Sequence, residues 1–205
     1  MNLDQQTTEK LLNWAYKKAV YGFPKTKSAK ELADEYLRRS GTLEEKVNSL
    51  ILWQTTKSAA SGFLTGLGGL PTLPFSVPAS ILSSLCIQLR LVASIACMGG
   101  YDVNCDEVKV LSFACLCGNG AKDILTKAGL KLGAKLTQRM LSQLSREALK
   151  QVNAAVGVKL LAKVGQSAAV NMTKAVPLFG SFASAAFDAV STQVIGKAAK
   201  AIFLH

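Results

Sequence analysis

Residues 58–101 read SAASGFLTGLGGLPTLPFSVPASILSSLCIQLRLVASIACMGGY, 44 residues in which Arg90 is the one charged side chain. The first 32, Ser58 to Leu89, carry none. About 20 apolar residues suffice to cross a hydrocarbon core as a helix, so this length admits one span or a tight hairpin of two. Gly62, Gly66, Gly68 and Gly69 lead into Pro71, Pro74 and Pro78. Each proline lacks an N–H and clashes with the turn before it, which rules out one regular helix across that segment. The expectation is a helix to about Leu67, a rigid turn through Pro78, and a second helix from Ala79 to about Met98. Residues 58–98 thus read as a Gly/Pro-interrupted apolar hairpin at the centre of the chain.

Toward the N-terminus, Leu11, Leu12, Ala15, Ala19 and Val20 recur at helical spacing against Lys10, Lys17 and Lys18, predicting a helix over 8–21. Ser28 with Glu31, and Thr42 with Glu45, have the spacing of capping boxes and open helices at about 28–39 and 43–57. Trp14 and Trp53 read as core positions or as anchors at a membrane boundary, where an indole also fits.

Toward the C-terminus, Asn104 with Glu107 reads as another capping box, and Gly118-Asn119-Gly120 as a break that permits close helix contact. The next helix, about 121–142, places Lys127, Lys131, Lys135 and Arg139 four residues apart. At 100° per residue such a row spreads over about 120° of one face, giving an amphipathic helix with a basic side. That side reads as solvated surface, as an anionic-membrane contact, or as a phosphate contact. A helix at about 144–152 and a loop at about 164–173 follow, then a closing helix over 176–203 that Pro177 suits as a first residue. Strand alternation is absent. The fold class is all-α, a single-domain helical bundle over 1–205.

The run GFLTGLGGLPTLPFSVPASI, the triplet Gln88-Leu89-Arg90 with Ala93, Ile95 and Ala96, and Gly100-Tyr101-Asp102 resemble the signature of the EcsC protein family. GFPKTKSAKELADEYL, CLCGNGAKDIL and the closing Val176-Pro177, Gly180, Asp188 and Ile195-Gly196-Lys197-Ala198-Ala199-Lys200 extend the likeness over about 22–203. The resemblance implies a bacterial, mostly helical protein; no reaction is established for the family as a class. Gly62, Gly66, Gly69, Pro71, Pro177, Gly180 and Gly196 are the residues it marks for close helix packing, which small side chains permit.

Composition narrows the function. Charged residues make up 18%, against about 25% in typical domains, which suggests apolar surface meeting something besides water. The net charge is +11, and residues 103–205 alone hold thirteen basic and five acidic groups. Such a half favours polyanions, an anionic bilayer or nucleic acid. Nucleic acid is disfavoured, because no aromatic residues interleave with the lysine row and no recognised binding motif is present.

The N-terminus lacks the continuous apolar run of a secretory signal, and five cysteines, an odd number, read as reduced core residues of a cytoplasmic protein. The single histidine, His205, removes Ser-His and Cys-His catalysis and histidine metal sites. No metal or cofactor is implied. Arg90, isolated in its uncharged stretch, needs a partner; Asp102 and Asp188 are the candidate buried carboxylates, with Asp188 as its pair, and an anionic lipid head group is the other reading.

The reading is a non-enzymatic protein, cytoplasmic or at the inner membrane. It docks on or inserts into anionic bilayers through hairpin 58–98 and helix 121–142, with Lys127, Lys131, Lys135, Arg139 and Arg90 as contacts. A soluble module binding another protein, and a carrier of an acyl chain, are the alternatives.

Overall fold

The computed structural model describes residues 5–23, 26–59, 79–127, 129–130, 150–152, 154–158 and 177–204. All regular structure among them is helical: α1 (Gln5–Tyr21), α2 (Ala29–Leu37), α3 (Leu43–Ala59), α4 (Ala79–Met98), α5 (Asp106–Cys115), a 3-10 turn (Gly118–Gly120), α6 (Ala121–Lys127) and α7 (Pro177–Phe203). Residues 150–152 and 154–158 are helical as well. The all-α bundle expected from the sequence is what forms. Of the expected hairpin, the helix from Ala79 to Met98 is present, whereas residues 60–78, including Gly62, Gly66, Gly69 and Pro71, lie outside the described residues.

Local chemistry sets the helix starts. Glu31 N donates to Ser28 Oγ at 3.1 Å while Ser28 N donates to Glu31 Oε2 at 2.8 Å, a reciprocal capping box. Thr42 and Glu45 repeat it at 2.8 and 3.2 Å. The third expected box does not form. Cys105 caps α5 without a side-chain bond, because Asn104 is drawn back to Asp102 Oδ1 by both its backbone N–H and its side-chain amide, each at 2.9 Å.

Glycine sets the ends of α4 and α6. At the end of α4, Tyr101 N donates to Ala96 O and Gly100 N to Cys97 O, with Gly100 at φ +81°. This is the Schellman arrangement, which needs a left-handed residue after the helix. The same pattern ends α6: Leu130 N donates to Leu125 O, Gly129 N to Thr126 O, and Gly129 has φ +89°. Leu130 is buried, as the motif's apolar contact requires. The expected continuous basic helix over 121–142 is therefore corrected: it stops at Lys127.

Helix α4 is the axle, packed against α1, α2, α3, α5 and α7. Leu82, Leu85, Leu89, Leu91, Val92, Ile95 and Ala96 are buried along it, at 0–2% exposure. Helix α7 runs parallel to α4 at a constant offset. Ser84 meets Asp188 and Gln88 meets Thr192, each 104 positions apart, and Gly99 abuts the carbonyl of Phe203 at the same spacing. Helix α3 runs the other way along α7, since Glu44 and Asn48 meet Lys200 while Ile51 meets Gly196. Thus α4 and α7 are parallel and α3 runs antiparallel to α7, all three in mutual contact, while α1 and α2 also pack on α4.

Candidate functional site

Within the core, α4 and α7 share a polar seam. Ser84 Oγ donates to Asp188 Oδ1 at 3.1 Å, and Gln88 Nε2 reaches Ser191 Oγ and Thr192 Oγ1 at 3.3 and 3.4 Å. Ser84 and Gln88 lie one turn apart and so share a face. Such bonds fix register between two helices, because a slipped pairing leaves buried polar groups without partners.

The seam corrects the expected Arg90–Asp188 pair. Asp188 faces Ser84, six residues before Arg90, which is about 9 Å along the helix axis and on another side of it. Arg90 instead approaches α2, with Nη1 3.5 Å from Lys27 O, and burial lowers the pKa of its guanidinium. Four residues on, Ser94 Oγ sits 2.8 Å from Arg90 O and 3.0 Å from Ala29 O, tying α4 to the start of α2. Asp102, the other candidate, is exposed and closes the turn before α5. Its pKa is lowered by the Asn104 bonds.

The thiols are buffered by burial. Cys86 is pushed up to about 12 and Cys97 to about 11, and Cys115 rises further for the same reason. All five cysteines are free, and among the described residues no group of His, Cys, Asp or Glu is gathered to hold a metal ion.

The solvent face of α3 changes character along its length. Glu44, Glu45 and Asn48 occupy its first half; Leu52, 67% exposed, and Trp53, 45% exposed, continue the same face toward residues 60–78. Trp14 by contrast is half-buried and packs edge-on to Phe23. Trp14 thus fits the core reading, and Trp53 lies outside the core.

A model of the EcsC protein family matches residues 3–204. The chain belongs to the EcsC protein family. A search of curated proteins gave no match, and neither did a search of solved structures.

In this EcsC protein the described residues among those marked in the sequence lie on separate elements, Arg90 on α4, Lys127 on α6, and Asp188 and Gly196 on α7. Lys127 is exposed in the last turn of α6, and Lys131, Lys135 and Arg139 lie outside the described residues. Since α6 ends before Lys131, the four do not form a row on one helix. Pro177 opens α7 as expected, Gly180 lies in its first turn, and Gly196 is where α7 meets α3 and α4. Ile81–Met98 has the length and mean hydropathy, 1.8, of a membrane span, yet 94% of it is buried by the rest of the EcsC bundle. A core helix passes the same test of length and composition.

Sequence reasoning missed two features. The exposure of Leu52 escaped because an apolar residue in a helix reads as core until its neighbours are placed, whereas Trp53 was open to either reading. The stop at Gly129 was legible, since glycine followed by leucine after a lysine-bearing last turn is a helix-end signal.

Proposed function

We propose that this EcsC-family protein is a non-enzymatic helical module of the cytoplasmic side that docks on anionic bilayers through the Leu52–Trp53 face of α3 and residues 60–78, with α4 remaining in the core. The change of α3's exposed face from Glu44, Glu45 and Asn48 to Leu52 and Trp53 carries this reading. Fully burying a large apolar side chain is worth about 1.5–3 kcal/mol, so two partly exposed ones contribute a few kcal/mol at most. Charge has to supply the rest. A basic residue near an anionic surface adds about 1 kcal/mol, and the chain's +11 offers several.

The test is flotation with neutral and with anionic vesicles at low and high salt. A Trp14→Phe background leaves Trp53 as the one tryptophan, since the chain has two. Binding to anionic vesicles, with a blue shift of Trp53 emission and loss of the salt-resistant fraction in Leu52→Glu/Trp53→Glu, is the expected result. Failure to float with either vesicle overturns docking and leaves a protein partner as the function of that face.

A further inference from the structure

At the opposite end of α3, its first turns and the last turns of α7 enclose an open cleft of about 710 Å³. One side is polar. Lys200 Nζ sits 2.6 Å from Glu44 Oε1 and 2.9 Å from Asn48 Oδ1, so its ammonium is held in place. Lys197, one turn earlier on the same helix face, also lines the cleft; it is exposed and forms no ion pair among the described residues. Leu43, Ala201 and Leu204 supply an apolar side. The back is close-packed, because Gly99 lies against the Phe203 carbonyl and Tyr101 packs edge-on to Phe203 with ring centroids 5.2 Å apart.

We infer that this cleft binds a single-chain amphiphile with a monoanionic head, of the carboxylate class. Three observations select that chemistry. Two ammonium groups against one carboxylate leave the lining with one positive charge, carried by Lys197. Glu44, held beside Lys200, repels a second negative charge and so disfavours a dianionic head such as a phosphate monoester. Ala201 and Leu204 follow Lys200 and Leu43 joins them from α3, giving the start of a tail an apolar surface. Ligand sites commonly have volumes of about 300–1,000 Å³, with apolar walls and a few placed polar groups. The site is separate from the Leu52–Trp53 face and does not depend on bilayer docking.

The experiment is calorimetric titration of the full chain with decanoate, decanol, decyl phosphate and decyltrimethylammonium, each below its micelle-forming concentration. Decanoate is expected to bind saturably at one site, with decanol and decyl phosphate weaker and the cation not binding. Lys197→Gln is expected to weaken decanoate by about three- to tenfold, the range for one charge-assisted contact at a half-open site, and to leave decanol unchanged. Ala201→Glu, at an exposed position that folding tolerates, is expected to abolish both. Equal binding of all four amphiphiles, no saturable decanoate binding, or a Lys197→Gln protein indistinguishable from the parent would each overturn the inference.

Discussion

Gly196 of α7 lies so close to Ile51 of α3 that a methyl group added to it would stand 2.9 Å from Ile51 Cγ1 and 3.0 Å from Cγ2, with Leu91 Cδ2 of α4 at 3.2 Å. Three helices meet at that point, and the missing side chain sets their separation.

Gly196→Ala should therefore destabilise the protein although alanine is the better helix former, by about 1–3 kcal/mol, the usual cost of overpacking. Ile51→Val or Ile51→Ala in the same chain should recover part of the loss, because it removes atoms from the collision. Urea denaturation of the single and double variants measures this, and additive effects would show that the two residues are not in contact.

Gly129→Ala distinguishes a helix that stops at Lys127 from one that continues to 142. In a continuing helix the change would stabilise by about 1 kcal/mol. At φ +89°, with nothing within 4 Å of the added methyl, it should instead cost about 1 kcal/mol through backbone strain alone. Gly129→Asn should cost less than alanine, since asparagine tolerates that conformation better. Thermal melts of the three proteins give the sign directly.

Acid should weaken the protein in part through its caps. Backbone bonds from Ser28 and Thr42 lower the pKa values of Glu31 and Glu45 below their ordinary 4.5, and the Lys27 ammonium does the same for Glu35. Below 4.5 the unfolded chain takes up these protons more readily than the folded one, so this stabilisation is present above that pH and is lost as pH falls through the folded values. Ser28→Ala and Thr42→Ala should lower stability at neutral pH by about 1 kcal/mol each and should flatten the acid limb of a stability–pH curve. A limb that keeps its slope in the double variant would assign the acid sensitivity to other carboxylates.

The buried thiols Cys86 and Cys115 should be silent in the native state. With Cys86 raised to about 12 and Cys97 to about 11 by burial, little thiolate exists at neutral pH. A disulfide-exchange colour reagent should label all five cysteines promptly in denaturant, while in buffer Cys86 and Cys115, both buried, should react only at the rate of opening. Rapid native labelling at Cys115 would mean that α5 opens locally far more often than its packing implies.

Much of the fold was legible because its signals are local. The capping boxes at Ser28 and Thr42, the bounds Ala79 and Met98, and Pro177 at a helix start each depend on residues within one turn. Partner choice was not. Arg90 and Asp188 are the plausible pair by charge, but Ser84 and Gln88 fix the register of α7 and carry Asp188 past Arg90. Lysines at four-residue spacing suggested one face, although a face exists only while the helix does, and Gly129 ends it. The cleft at Lys197 and Lys200 lay beyond sequence for the same reason as the seam: its walls come from segments about 150 positions apart, and |i−j| for Lys200–Glu44 is 156.

The fixed offset of 104 between α4 and α7 also orders events in time. A ribosome adding about 5–20 residues per second needs about 5–20 s to pass from the first helix of that pair to its mate. Throughout that interval the nascent chain carries Ile81–Met98 with the side destined for α7 uncovered. Maturation of this protein is therefore a race between synthesis of its last helix and capture of that bare side by a chaperone, a neighbouring chain or a bilayer.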